Sequence, residues 1–285
     1  MPIEHKDKKF DESRALFGLR DVKLDGCMFE GGESALKECA FVQANKCTYD
    51  GSYPLWHNHY VQLDGCDFTP SCRAALWYSQ NVTIASSKLN GAKALRECKK
   101  AYLRDCEVSS AEFGWNACGL RIVGGQASGE YFLMRASDVY VDRLKLKGKY
   151  SFQYVKNAVI DGSTVNTYAA LWHCRNVTVE NCIIIGEYTG WYSKNLTFKN
   201  CTLIGKQPLC YCKNLKLEDC VLQDAECAFE RSQVFAVLRA KIDSIKNPTS
   251  GVIKAPEVGE IIRDDSYAKC RVLIDPYLLR DRKHD

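Results

Sequence analysis

The sequence predicts an all-β protein, a single-stranded right-handed parallel β-helix of about 12 turns. Three observations carry this prediction. A small residue returns every 19 positions along most of the 285-residue chain. Around it, apolar and polar residues alternate with period two, the mark of a half-buried strand. Each repeat is also too short to hold both strands and a helix, so stacked repeats must pair strand on strand.

The recurring position is filled by Cys27, Cys47, Cys66, Ser87, Cys106, Gly125, Leu144, Ser163, Cys182, Cys201, Cys220 and Arg239. Steps from Ser87 onward are all 19 residues; the three before it are 20, 19 and 21. Five and three residues before this anchor, and two after it, stand apolar residues, as in "VTVENC", "LTFKNC" and "LKLEDC". Asn81, Asn157, Asn176, Asn195 and Asn214, with Gly119 and Asp138, form a column six residues before the anchor. These residue types tolerate a left-handed backbone, so a turn is expected there. Upstream of it, "PLWHN", "ALWYS", "ALWHC" and "TGWYS" read as a third strand. The hexapeptide pattern of left-handed solenoids gives 18-residue turns, whereas 19 residues with an asparagine turn favour the right-handed form. Residues 1–16 are expected to cap the first turn, 17–245 to form the β-helix, and 246–285 to hold irregular turns and a polar tail.

Net charge is +4 with both signs interspersed, which argues against a nucleic-acid partner. No apolar run reaches the roughly 18 residues of a membrane span. The charged start, "MPIEHKDKKFDESR", has no apolar signal region, so a cytoplasmic protein is expected. Sixteen cysteines are then read as reduced thiols. They alternate with Ser, Ala and Gly in the anchor column and in a second column, Cys39, Ser79, Cys98, Ala117, Ala136, Cys174, Ser193 and Cys212. That substitution pattern points to small buried volume. The paired spacings of zinc sites are missing, so neither metal nor cofactor is expected.

Function must sit on outward ladders or loops. Nine residues before the anchor, every repeat carries a polar or aromatic side chain, among them Asn116, Arg135, His173, Tyr192 and Tyr211. Beside them runs a column with Trp56, Trp77, Trp115, Trp172 and Trp191, expected to be mostly buried; facing outward, it would offer a strip for sugar rings. The loop column holds Glu112, Glu130 and Glu187. The densest constellation for acid–base work is Glu112, Glu130 and Arg135, because glycan cleavage needs paired carboxylates or a carboxylate beside a base. Arg96, Trp115, Asn116, His173, Glu187, Trp191, Tyr192 and Tyr211 are the candidate ligand-binding residues. P-loop, dinucleotide and nucleophile-elbow motifs are missing.

The segments "GESALKEC", "YPLWHN", "GEYTGWYSKNLTFKNCTL", "CYCKNLKLEDC", "AFERS" and "SIKNPTSG" resemble a bacterial domain-of-unknown-function family within the pectin-lyase-like β-helix superfamily. The resemblance covers almost the whole chain. It implies the right-handed β-helix and supplies neither an activity nor catalytic residues. The expected function is therefore a non-catalytic carbohydrate- or partner-binding scaffold. The alternatives are a carbohydrate-active lyase or glycoside hydrolase, and a module that assembles with a second copy through a side or an end.

Overall fold

In the computed structural model, which describes residues 1–279, the chain is a parallel β-solenoid of about 14 turns with about 19 residues each. It divides into two compact units, Met1–Gly148 and Lys149–Asp285. In the first unit each turn after the first carries a six-residue strand and a shorter one, such as Ala40–Asn45 followed by Thr48–Asp50. Consecutive long strands are parallel and in register: Val22 pairs with Val42, Val42 with Val61, and Val61 with Val82. The columns read from the sequence are therefore columns in space. The second unit repeats this plan with Arg175–Glu180 and Ile183–Ile185, then Lys194–Lys199 and Thr202–Ile204. There Val177 pairs with Leu196 and Ile184 with Leu203.

The turn count exceeds the expected 12 because residues 1–16 do not merely cap. Ile3–Lys6 pairs with Arg20–Asp25, and Lys9–Phe10 with Met28–Glu30. Phe10 opens a core stack that continues through Phe29, Tyr49 and Phe68 at centroid spacings of 4.9, 5.1 and 4.6 Å. Beyond residue 246, Ser250–Ala255 still pairs with Gln233–Leu238, and Arg271–Ile274 with Ser250–Ala255.

The expected third strand is not a strand. In the turn of Trp56, residues Tyr53, Leu55 and His57 have φ of 58, 57 and 60°. Ala169, Leu171 and His173 repeat this at 53, 61 and 54°. Every second residue is thus left-handed, and the segment still bonds to its neighbours: the Leu76 N–H donates to the Pro54 carbonyl at 3.0 Å and the Tyr78 N–H to Arg96 at 3.2 Å. The middle left-handed residue points inward; Leu55, Leu76, Leu95, Leu133, Leu171 and Leu209 are fully buried. A left-handed L-residue costs about 1–2 kcal/mol, while burying a leucine returns about 1.5–3, so burial wins. Gly114 and Gly190 take this position in two turns, where an added Cβ would lie 2.5 and 2.7 Å from the Leu133 and Leu209 side chains.

The asparagine column does adopt φ near 55°, but Asn81, Asn157, Asn176 and Asn195 do so as the second residue of a long strand and Asn214 just before one. The corner between long and short strand lies one residue before the anchor, with Lys46, Asp105, Asn181 and Asn200 at φ of 50, 51, 53 and 49°. Asn side chains bridge turns: Asn176 Nδ2 donates to Asn157 Oδ1 at 3.0 Å, Asn195 to Asn176 at 2.8 Å, and Asn214 to Asn195 at 2.9 Å.

All sixteen cysteines are free thiols, and most are buried. Their role is more than small volume. Cys98 Sγ donates to the Leu76 carbonyl at 2.7 Å, Cys174 to Phe152 at 3.0 Å, and Cys212 to Gly190 at 3.1 Å. Ser79, Ser193 and Ser232 make the same bond to Leu55, Leu171 and Leu209 at 2.8, 2.8 and 2.7 Å. In each case the acceptor belongs to the left-handed residue of the preceding turn. Cys and Ser interchange here because both are small donors that satisfy a buried carbonyl.

Candidate functional site

The segment with alternating φ places one side chain inward, the next along the wall and the third outward. The tryptophans take the middle position and are half-buried, not buried as expected. In the first unit Lys37 Nζ lies 4.4 Å from the Trp56 ring centroid, and Trp56 stacks on Trp77 at 6.0 Å. The Arg96 guanidinium sits between Trp77 and Trp115, at 5.6 and 5.2 Å. Arg96 Nη1 also donates to Glu112 Oε2 at 3.0 Å, and Lys93 Nζ lies 3.7 Å from the same oxygen.

Of the expected catalytic residues, Glu112 and Glu130 lie on adjacent turns, the Glu112 N–H bonding to the Glu130 carbonyl at 2.8 Å. Glu130 and Arg135 are exposed on the same turn. The structure brings Arg96, Glu112 and Trp115 together, with exposed Asn116 beside them, whose N–H donates to the Met134 carbonyl at 2.9 Å. One Glu112 oxygen is thus held by two cations, an arrangement that locks the ladder.

In the second unit, Trp172 stacks on Trp191 at 5.5 Å, and the indole N–H groups donate to the Tyr188 and Gln207 carbonyls at 2.5 and 2.6 Å. Tyr154, His173, Tyr192 and Tyr211 form one stack with spacings of 4.8, 5.0 and 4.7 Å and interplanar angles of 7 to 10°. Burial lowers the His173 pKa. Glu187 is half-buried beside Tyr188. Rings stacked on one another use their faces on each other and present only edges outward. The ring faces that an outward Trp column would have offered to sugar rings are here largely engaged in stacking on one another.

A groove that the sequence reading did not single out lies on the outer face of the long strands in the first unit. One section, of about 780 Å³, runs over the turns of Lys23, Gln43, Gln62 and Thr83. A second, of about 590 Å³, shares Gln43, Gln62 and Thr83 and continues past Tyr102 to Arg121. The floor is one in-register column: Gln43 pairs with Gln62, Gln62 with Thr83, Thr83 with Tyr102, and Tyr102 with Arg121. One wall is the asparagine column, occupied here by Phe41, Tyr60, Asn81 and Lys100. Phe41 stacks on Tyr60 at 5.0 Å and 1°. The ring stack ends at Tyr60, which is 52% exposed and followed by the shorter Asn81. The available sequence signal was this break in the asparagines: two aromatic rings and a lysine at positions that elsewhere hold a turn former.

Among curated proteins none matches this chain. Among solved structures it is similar to the surface adhesin PfbA of Streptococcus pneumoniae, with 12% identity, 74% of this chain and 70% of that one covered, and a TM-score of 0.44. It is also similar to the A-module of the mannuronan C-5 epimerase AlgE4 of Azotobacter vinelandii (9%, 95% and 87% covered, TM-score 0.31). A third similar structure is HetL, a pentapeptide repeat protein of Nostoc (12%, 80% and 89% covered, TM-score 0.27). A family model matches residues 4–274, nearly all of the described chain, and the protein therefore belongs to the family described as a protein of unknown function, DUF3737.

Proposed function

We propose that this protein is a non-catalytic binding scaffold that holds an extended carbohydrate chain in the groove of its first unit. The observation that carries this reading is the groove itself, whose two sections share Gln43, Gln62 and Thr83 and so form one continuous track. Its floor repeats at the spacing of neighbouring strands, about 4.8 Å, close to the length of one sugar unit. Amide and hydroxyl side chains offer both donors and acceptors at successive steps, and Tyr60 supplies an aromatic ring at the wall. A few polar groups among aromatic ones is the composition of a ligand site. The acid–base constellation gives no comparable support for catalysis, because Glu112 is held by Arg96 and Lys93.

A glycan array followed by calorimetry on the hits tests this. Binding should weaken at least about tenfold in Gln62→Ala and in Tyr60→Ala, each losing roughly 1.4 kcal/mol or more, while Tyr192→Ala in the second unit binds as the parent does. A wide array without hits, or hits insensitive to both groove variants, would overturn the reading.

A further inference from the structure

We infer that the carbohydrate chain bound in this groove carries carboxylate groups, and that they are read at the Lys100–Arg121 end. This rests on the groove reading above and specifies its ligand.

The two sections of the groove differ in charge. The section ending at Arg121 is lined by two cations, Lys100 and Arg121, and by neither Asp nor Glu. The other section contains Glu4, Asp25 and Asp64 together with Lys6 and Lys23. There Lys23 Nζ is 3.2 Å from Glu4 Oε1, and Asp25 accepts from Asn45 Nδ2 at 2.8 Å, so part of that charge is internally satisfied. Lys100 and Arg121 are both exposed and, among the described residues, neither is in an ion pair. Arg121 is instead steadied from below: its guanidinium lies 4.7 Å from the ring centroid of Tyr140 on the following turn. A guanidinium stacked on a ring keeps its donor edge free and loses less freedom on binding than a mobile one.

The placement suits a repeating anion. Lys100 stands on the wall, and Arg121, one turn further on, stands on the floor beyond Tyr102. A carboxylate over Arg121 meets a planar fork of donors that matches its two oxygens, while a neighbouring carboxylate meets the point charge of Lys100. The carboxylates at the far end, Asp64 above all, offset part of the gain from a carboxylate bound there, so the Arg121 end contributes most to reading an acidic chain. The groove therefore gives such a chain a direction, with its most acidic stretch at Arg121.

The test uses a uronic acid hexamer and the same hexamer with its carboxyl groups reduced to primary alcohols, titrated into the full-length protein by calorimetry. The acidic form is expected to bind about tenfold or more tightly than the reduced form, since hydrogen bonds to charged groups contribute roughly 1.5–3 kcal/mol. Arg121→Gln should remove most of that difference. Asp64→Asn should strengthen the acidic form more than the reduced one. Raising the salt concentration should weaken the acidic form and spare the reduced one. Equal binding of both forms, with Gln62→Ala still weakening each, overturns the carboxylate inference and leaves the groove reading standing. Binding of neither form overturns the carboxylate inference, and binding of both without any effect of Gln62→Ala overturns the groove reading with it.

Discussion

The two units build the same wall from different chemistry. In Met1–Gly148 the ladder on the alternating-φ face interleaves cations and indoles, Lys37 on Trp56 and Arg96 between Trp77 and Trp115. In the second unit the same face is built mainly from stacked rings, with Trp172 on Trp191 and the stack from Tyr154 to Tyr211. The backbone is the common term. In-register stacking sets each side chain about 4.8 Å from its equivalent in the next turn. Like charges at that spacing repel, whereas rings stack and a cation over a ring attracts. Either solution closes the wall, and either one uses up the ring faces. The outer face of the long strands is different: in the first unit the Phe41–Tyr60 ring stack ends at Tyr60, and a groove remains.

The largest expected effect tests what both units share. Leu76→Ala in the first unit and Leu171→Ala in the second should each cost about 2–5 kcal/mol in urea unfolding, the usual range for a fully buried leucine. The comparison with glycine is the sharper measurement. At ordinary positions Gly is about 0.5–1 kcal/mol worse than Ala, but Leu76 and Leu171 have φ of 60 and 61°. Leu76→Gly and Leu171→Gly should therefore be no less stable than the alanine variants. A clear disadvantage of Gly at both sites would contradict the left-handed backbone that defines this face.

The next effect separates the units. Arg96→Ala removes two cation–ring contacts and the bond to Glu112, for about 1–2 kcal/mol. Tyr192→Ala removes the contacts with His173 and Tyr211 and should cost a similar amount, since each ring pair contributes about 0.5–1.5 kcal/mol beyond its buried area. Salt tells them apart. At about 1 M salt the screening length falls to roughly 3 Å, so the Arg96→Ala penalty should shrink while that of Tyr192→Ala holds. Equal salt response would mean that the first ladder is held by packing alone.

How much of this was legible in the sequence follows from repetition. The inward columns were readable because each turn measures the same position again: Val22, Val42, Val61 and Val82 need no structure to be aligned. The alternating-φ face was not readable, since Leu, Trp, His and Tyr are poor predictors of left-handed backbone; tertiary burial of the leucine overrides local preference. Gly114 and Gly190, alone among leucines and phenylalanines in their column, were the visible trace. The orientation of the tryptophans followed from that same backbone, as alternation with period two fails where every second φ is positive. The groove was hidden for another reason. It is made by the relief of side chains across several turns, and only the loss of asparagine at Phe41, Tyr60 and Lys100 hinted at it.

A smaller effect concerns the donors that satisfy the left-handed residues. Cys98 in the first unit and Ser193 in the second make equivalent bonds, to the Leu76 and Leu171 carbonyls. Exchanging them, Cys98→Ser and Ser193→Cys, should change stability by less than about 0.5 kcal/mol. Removing the donor with Cys98→Ala or Ser193→Ala should cost about 1 kcal/mol or somewhat more, because a buried carbonyl is left unpaired. If volume alone governed the column, alanine would be tolerated as well as the Cys–Ser exchange, and the thermal midpoints of the four variants would not separate.

The smallest effect is a pH dependence that again differs between the units. His5 in the first and His173 in the second both have pKa values lowered from 6.5, each chiefly by burial, with the charge of Lys8 adding to the effect at His5. A depressed folded pKa means that the unfolded chain binds the proton more readily. The contribution to stability is therefore complete above about pH 6.5 and is lost as the pH falls through that value toward the folded pKa. Thermal midpoints should drop over this window. His173→Tyr, which continues the ring stack of Tyr154 and Tyr192, should remove part of the drop independently of salt. Lys8→Gln should remove a smaller part at low salt and none at high salt, since the Lys8 contribution is coulombic and screened. A pH dependence unchanged in both variants would place the titrating groups elsewhere and deny the two histidines this role.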